Sequence, residues 1–247
     1  MLEYASITNC GNRSVNEDSI GIRQNGNGTC FVLCDGLGGH GMGDVASSLV
    51  RDEILNLFEE SGRIETFLDN AFHKAQDKLR EEQIIQNAKS KMKTTSVCMI
   101  ADEKKVHVGY VGDSRFYAFS KNKVKIQSKD HSVPYMLYLA KEIKENEIRN
   151  HPDRSMLLRV MGTQWQGNMY ELLKPFSLKK YQAFLLCSDG FWELITEEKM
   201  CEILNHTTTA EEWLKAMLDV VKENGKEVDM DNYSAIAILN KRGVKND

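Results

Sequence analysis

Apolar residues along this chain gather in two kinds of run. Short, mostly apolar stretches at 31–34 (FVLC), 106–111 (VHVGYV) and 184–187 (FLLC) each give way within two residues to an Asp followed by Gly or Ser. Apolar runs of this length read as buried strands. Longer segments repeat their apolar positions every three to four residues. Residues 44–60 place Val45/Ala46, Leu49/Val50, Ile54 and Leu57/Phe58 on one stripe, and 66–86 continue with Phe67, Leu68, Ala71, Phe72, Ala75 and Leu79. Both predict amphipathic helices.

Strand signals then cluster at 95–101, 106–111, 115–119 and 124–127, separated by short turns that imply antiparallel hairpins. A helix is predicted over 132–148, followed by a polar loop at 149–155 and a strand at 181–187. Thr196 is the expected N-cap of a helix over 197–204, with acids in its first turn. Thr209 and Glu212 fit a capping box for a helix whose buried face is Trp213, Met217, Val220 and Val221. A strand at 234–239 completes the pattern. Paired helices around runs of adjacent strands predict an α+β fold, antiparallel sheets with helices layered outside.

Composition narrows the function classes. The 247 residues are 41% hydrophobic and 28% charged, with net charge −4, values of a soluble globular protein. No basic stripe with interleaved aromatics appears, so no nucleic-acid partner is expected; the basic stretches at 89–93 (KSKMK) and 121–125 read as solvated loops. No apolar stretch approaches membrane-span length and no signal peptide precedes the first strands, which predicts a cytoplasmic location without a membrane partner. Six Cys form no C-x-x-C pair and no regular framework, and several lie in apolar strand runs, which suggests a reducing cytoplasm and no structural zinc. Three Pro and no Ser/Gly-rich linker favour one domain over 1–247.

The chemistry lies at the strand ends. Asp35, Asp113 and Asp189 follow the apolar runs, and Asp231 precedes the last strand. An Asp-Gly pair after a strand is by itself an ordinary turn. Four brought to one place repel, by ~4 kcal/mol per pair at 4 Å and an effective dielectric of 20. A divalent cation held by oxygen ligands is the simplest offset, and it points to a metal-dependent hydrolase. Gly36 and Gly190 would leave room for metal or substrate against the backbone. Arg13 is placed to clamp a phosphate, or else to pair with Glu17 on the surface. Asn16-Glu17-Asp18 reads alone as a turn, and Asp113 could equally hold Arg115.

The stretch 36–41 (GLGGHG) fits the dinucleotide fingerprint G-x-G-x-x-G. Against it, Asp35 would face the pyrophosphate, and the next strand arrives only near residue 95, too late for a compact βαβ unit. His40, within this glycine loop, is the best-placed His for proton transfer, or a simple anchor of loop backbone. His131 and His151 read as loop anchors.

In order, GNRSVNEDS, FVLCDGLGGHGMGDVAS, TTSVCMI, VGYVGDSR, KDHS, HPDRSMLLRVMG, LLCSDGFWELI and DNYSAIAI run from residue 11 to 238, within a likeness that extends over about 4–239. Together they resemble the protein phosphatase 2C type (PPM family) of metal-dependent protein Ser/Thr phosphatases, in its compact bacterial form. The resemblance implies a central β-sandwich of two antiparallel sheets flanked by helices on both faces. It implies two Mn²⁺ or Mg²⁺ ions with a weaker third. Asp35 would bridge the pair, the Gly36 carbonyl would bind one ion, and Asp189 and Asp231 the other. Glu17 and Asp18 would act through waters on the ions, Asp113 with Asp189 at the third site, and Arg13 on the phosphate. Residues 132–154 fall at the family's variable flap, which contacts protein substrates. Animal members carry a general-acid His where this chain has Leu37; bacterial members commonly place a His farther on, as His40 is. The implied activity is hydrolysis of phosphoserine and phosphothreonine in a monomer whose partners are phosphoproteins, substrates of a Ser/Thr protein kinase. A phosphatase of small phosphoesters and a catalytically silent phosphoprotein-binding relative are the alternatives.

Overall fold

The computed structural model describes residues 2–38, 41–61 and 64–241. In chain order the elements are β1 (Leu2–Asn9), β2 (Asp18–Asn25), β3 (Gly28–Asp35), α1 (Gly43–Glu60), α2 (Phe67–Ile85), β4 (Ser96–Ala101), β5 (Lys105–Val111), β6 (Arg115–Ser120), β7 (Lys123–Gln127) and α3 (Val133–Leu139). The two-residue strands β8 (Glu171–Leu172) and β9 (Phe176–Ser177) follow, then β10 (Ala183–Cys187), α4 (Asp189–Trp192), α5 (Glu197–Asn205), α6 (Ala210–Asn224) and β11 (Tyr233–Asn240).

Two antiparallel sheets form, ordered β1-β11-β10-β6-β7 and β2-β3-β4-β5-β8, with β9 also on β5. Alternation along each central strand explains the apolar runs. Phe31 and Leu33 of β3 point between the sheets with Val97, Met99, Phe116, Phe184, Leu186 and Ile236. Cys30, Val32 and Cys34, on the other face, meet Val50, Ile54, Phe72 and Leu79 of α1 and α2. The second sheet repeats the arrangement: Leu185, Cys187, Ala235 and Ala237 face Trp192, Met200, Trp213 and Met217 of α4–α6. Each central strand is therefore covered on both sides, and the α+β sandwich with helices on both faces is the architecture present.

Three differences from the sequence reading have physical causes. β1 and β2 carry mixed, half-exposed residues because they are edge strands, so no buried run marks them. The helix predicted over 132–148 stops at Leu139. Lys141 takes a left-handed φ of 64°, and Lys141 N–H and Glu142 N–H bond back to the Tyr138 and Leu137 carbonyls, a Schellman closure; only a single turn of 3-10 helix, Glu145–Glu147, follows. Third, β4 pairs antiparallel with β3, so the glycine stretch after Asp35 opens no βαβ unit and the dinucleotide reading fails. Both predicted caps are present: Thr196 accepts from Lys199 N–H, and Thr209 and Glu212 cap reciprocally. Among the described residues no helix is long and apolar enough to cross a membrane.

Candidate metal centre and phosphate site

Strand register brings the acids to one end of the sandwich. Asp18 opens β2 directly opposite Asp35, which ends β3. Like charges facing each other across a strand pair destabilise it unless something else compensates. From the other sheet, Asp189 starts α4 where β10 ends, and Asp231 stands two residues before β11. Asp113 follows β5. A cavity of about 790 Å³ opens there, lined by Arg13, Glu17, Asp35, Gly36, Asp113, Asp189 and Asp231 among others.

The electrostatics follow from burial without counter-charge. Burial, then the negative charge of Asp189 and Asp231, holds the Asp18 carboxyl up at about 7, against hydrogen bonds from Ser234 and Ser188. The Ser188 hydroxyl donates to Asp18 Oδ2 at 2.8 Å, while Asp18 Oδ1 is buried with no hydrogen-bond partner among the described residues. Asp35 is pushed well above the ordinary carboxylate range by burial and by Asp18, Asp189, Asp113 and Asp231 in turn. Asp113 is raised by burial and then by Asp189. Asp189 stands at about 6, raised by burial and by Asp231, with Asp35 within hydrogen-bonding reach of its carboxyl.

An oxygen-only donor set with mutual repulsion and an orphaned buried oxygen fits a hard divalent cation. The side chains are not drawn into a closed cage: among the described residues no three His, Cys, Asp or Glu are posed to hold an ion. One visible reason is Arg13, whose Nε and Nη2 donate to both oxygens of Asp231 at 3.2 and 3.1 Å while Nη1 reaches Asp229 at 3.2 Å. The surface pairing of Arg13 with Glu17 considered from sequence is thus replaced by Asp231 and Asp229.

Glu17 turns inward instead. Its Oε1 accepts Gly43 N–H at 3.1 Å, capping α1, whose own N-cap residue Met42 contributes no side-chain bond. The room at the glycines is filled by protein: a Cβ on Gly36 would lie 2.2 Å from the Gly43 carbonyl oxygen, and one on Gly190 2.2 Å from that of Asn232. These glycines let backbone meet backbone beside the acids. Arg115, weighed as a partner of Asp113, belongs to Asp130 and Glu197. His131 and His151 do anchor loops, their Nδ1 atoms accepting from Gly112 and Asp153 N–H. His40 lies outside the described residues.

Residues that pattern reading passed over hold the site in place. Asn232 accepts from Glu17 N–H (2.8 Å) and donates to the Cys10 and Val15 carbonyls (3.0 and 2.9 Å), bracing the loop that carries Arg13. Thr95 Oγ1 accepts Asp35 N–H at 3.0 Å, and Thr94 Oγ1 donates to the Asp35 carbonyl at 2.8 Å. The Thr-Thr pair just ahead of a strand, and Asn directly after an acid, were the available signals.

The description "Protein phosphatase 2C" belongs to the family model that matches residues 8–232. The serine/threonine phosphatase stp of Listeria monocytogenes is 31% identical over 224 residues, covering 86% of this chain and 85% of the relative. Serine/threonine phosphatase Stp1 from Staphylococcus aureus superposes with a TM-score of 0.89 at 32% identity, over 98% of this chain and 96% of the other. The catalytic domain of the phosphatase PstP, solved in complex with two manganese ions, shares the fold at a TM-score of 0.80 and 23% identity, over 96% and 97% of the two chains.

Proposed function

Because the chain belongs to the protein phosphatase 2C family of metal-dependent serine/threonine phosphatases, we propose that it dephosphorylates phosphoserine and phosphothreonine in proteins by direct attack of water at a dinuclear Mn²⁺ or Mg²⁺ centre. The observation that carries this reading is the convergence of Asp18, Asp35, Asp113 and Asp189 on one end of the sandwich, where their mutual repulsion favours taking up a cation. The manganese pair in PstP supports the choice of ion.

Asp35 and the Gly36 carbonyl would hold one ion, and Asp35, Asp189 and Asp231 the other. Asp18 and Glu17 would act at one remove, and Asp113 with Asp189 would form a weaker third site. The pair of ions would supply Lewis acidity, lowering the pKa of the attacking water and drawing charge from the phosphoryl oxygens. The chain's own part is binding and orientation. Arg13 presents two parallel N–H donors to a carboxylate in this structure, and the same fork matches two oxygens of a phosphoryl group once Asp231 turns toward a cation. Asn232 fixes the loop on which Arg13 rides. His40 is the proposed proton donor to the leaving oxygen. The segment 132–154, as a flap, would meet the protein substrate, with the half-exposed Met136 and Leu139 on its outer surface. The cytoplasmic substrates of a Ser/Thr protein kinase are the partner class.

The test is hydrolysis of p-nitrophenyl phosphate and of phosphothreonine peptides with Mn²⁺ added and with chelator in excess. Activity is expected only with the ion; full activity in chelator would refute the metal centre. Turnover of p-nitrophenyl phosphate without turnover of any phosphopeptide would favour a small-phosphoester phosphatase.

A further inference from the structure

The basic stretch 89–93 has no place in the chemistry so far, yet its last residue reaches the site. Lys93 is half-buried where the chain turns into β4 and lines the same cavity as Asp35, Asp113 and Asp189. Its carbonyl accepts Leu37 N–H at 3.0 Å, which ties it to the segment directly after Asp35 and Gly36. The next residue, Thr94, forms a bridge with Gly36 and bonds the Asp35 carbonyl. The Lys93 backbone is therefore held beside Asp35 and Gly36, while the rest of its stretch is mostly exposed.

The two cations of the lining differ in what they hold. Arg13 is engaged by Asp231 and Asp229 through three of its donors. Lys93 makes no ion pair with any described residue, although the cavity it lines is rich in carboxylates. They also come from different sides: Arg13 sits on the acid that precedes β11, in one sheet, and Lys93 precedes β4, in the other. An incoming dianion would meet one cation from each sheet. An ammonium is a compact point charge with three donors, suited to an oxyanion whose orientation is set by other groups.

We propose that Lys93 binds the phosphoryl group of the substrate, as a second cation complementing Arg13. The proposal rests on the phosphatase reading above. It differs from a general attraction for acidic peptides, because the contact is with the phosphate itself and so must hold for every phosphoester and for the inorganic phosphate released.

The experiment compares the full chain, loaded with Mn²⁺, with its Lys93→Met and Lys93→Arg variants. Calorimetry reads inorganic phosphate affinity, and kinetics read KM and kcat on p-nitrophenyl phosphate and on two phosphothreonine peptides, one with acidic and one with neutral flanking residues. Lys93→Met is expected to weaken phosphate binding and raise KM about 10-fold on all three substrates, equivalent to ~1.4 kcal/mol. Lys93→Arg, which keeps the charge, should recover most of this, and Mn²⁺ affinity and melting temperature should be unchanged in both. Unaltered phosphate affinity in Lys93→Met overturns the proposal, and so does a KM rise confined to the acidic peptide, which would assign Lys93 to flanking residues. If Lys93→Met melts early, the comparison moves to Lys93→Gln, judged by the same phosphate affinity. A parent protein that hydrolyses none of the substrates would instead sink the phosphatase reading.

Discussion

Two regions of this molecule bury charge, and they do so in opposite ways. Around Arg115 every charge has its counterpart. Its guanidinium grips Asp130 through two bonds of 2.9 and 2.7 Å, reaches Tyr117 and Glu197, and lies 3.3 Å over the Trp192 ring. Arg149 adds a second cation on Glu197 at 2.8 Å. At the cavity, burial and neighbouring acids raise the pKa values of Asp18, Asp35, Asp113 and Asp189, and among the described residues no buried cation pairs with them. The two regions touch: Trp192 Nε1, from the ring under Arg115, donates to the Asp113 carbonyl at 3.0 Å. A buried charge satisfied within the chain is part of the fold; one left unsatisfied is kept for something the chain does not itself contain.

The comparison breaks if removing an acid from the cavity behaves like removing one from the paired network. Asp189→Asn should lower Mn²⁺-dependent kcat by about 10³-fold, the scale of losing a preorganised electrostatic group, while raising the melting temperature of the chelated protein. Steady-state kinetics and thermal melts in chelator check both halves. A variant that loses stability without metal would mean that the Asp189 carboxylate is structural.

Arg115→Ala should act in the reverse sense. It leaves Asp130 buried and unpaired, and is expected to cost about 3–5 kcal/mol in denaturant unfolding with or without Mn²⁺. Adding Asp130→Asn should recover part of that loss, because the two substitutions share one interaction. A cost below about 1 kcal/mol would show that the network is not what anchors β6 to α4 and α5.

The smallest effect is on pH dependence, and it sharpens the contrast. Asp18 and Asp189 bind their protons more tightly folded than unfolded, their folded values standing at about 7 and about 6 against an ordinary 3.8. Unfolding therefore releases protons, and the stability these groups contribute is full below pH 3.8 and lost as pH rises to about 7. The chelated protein should melt progressively lower from pH 5 to pH 7.5, and the gain on adding Mn²⁺ should widen over the same range. A chelated melting temperature that is flat or rising across that window would contradict the unpaired-acid picture.

Much of this was legible in the sequence because burial writes itself into composition. Strands covered on both faces leave apolar runs, so β3, β5 and β10 stood out, and with them the acids at their ends. Thr196 and Thr209 announced their helices, since a cap is a local event. β1 and β2 did not, because an edge strand half in water has no period to distinguish it from loop. The early end of α3 turned on a left-handed Lys141, a conformation its residue type does not advertise.

The chain order alone determined which residues could carry chemistry: acids after buried strands, an Arg in the first loop, glycines beside them. Only the tertiary structure decided how they meet. Register set Asp18 against Asp35, Arg13 closed on Asp231 and Asp229, Glu17 turned to cap α1, and Lys93 left its solvated stretch to line the cavity. The reason is physical: side-chain type and burial are encoded residue by residue, whereas the partner of a charge depends on distances across more than two hundred residues that only the packed sheets define.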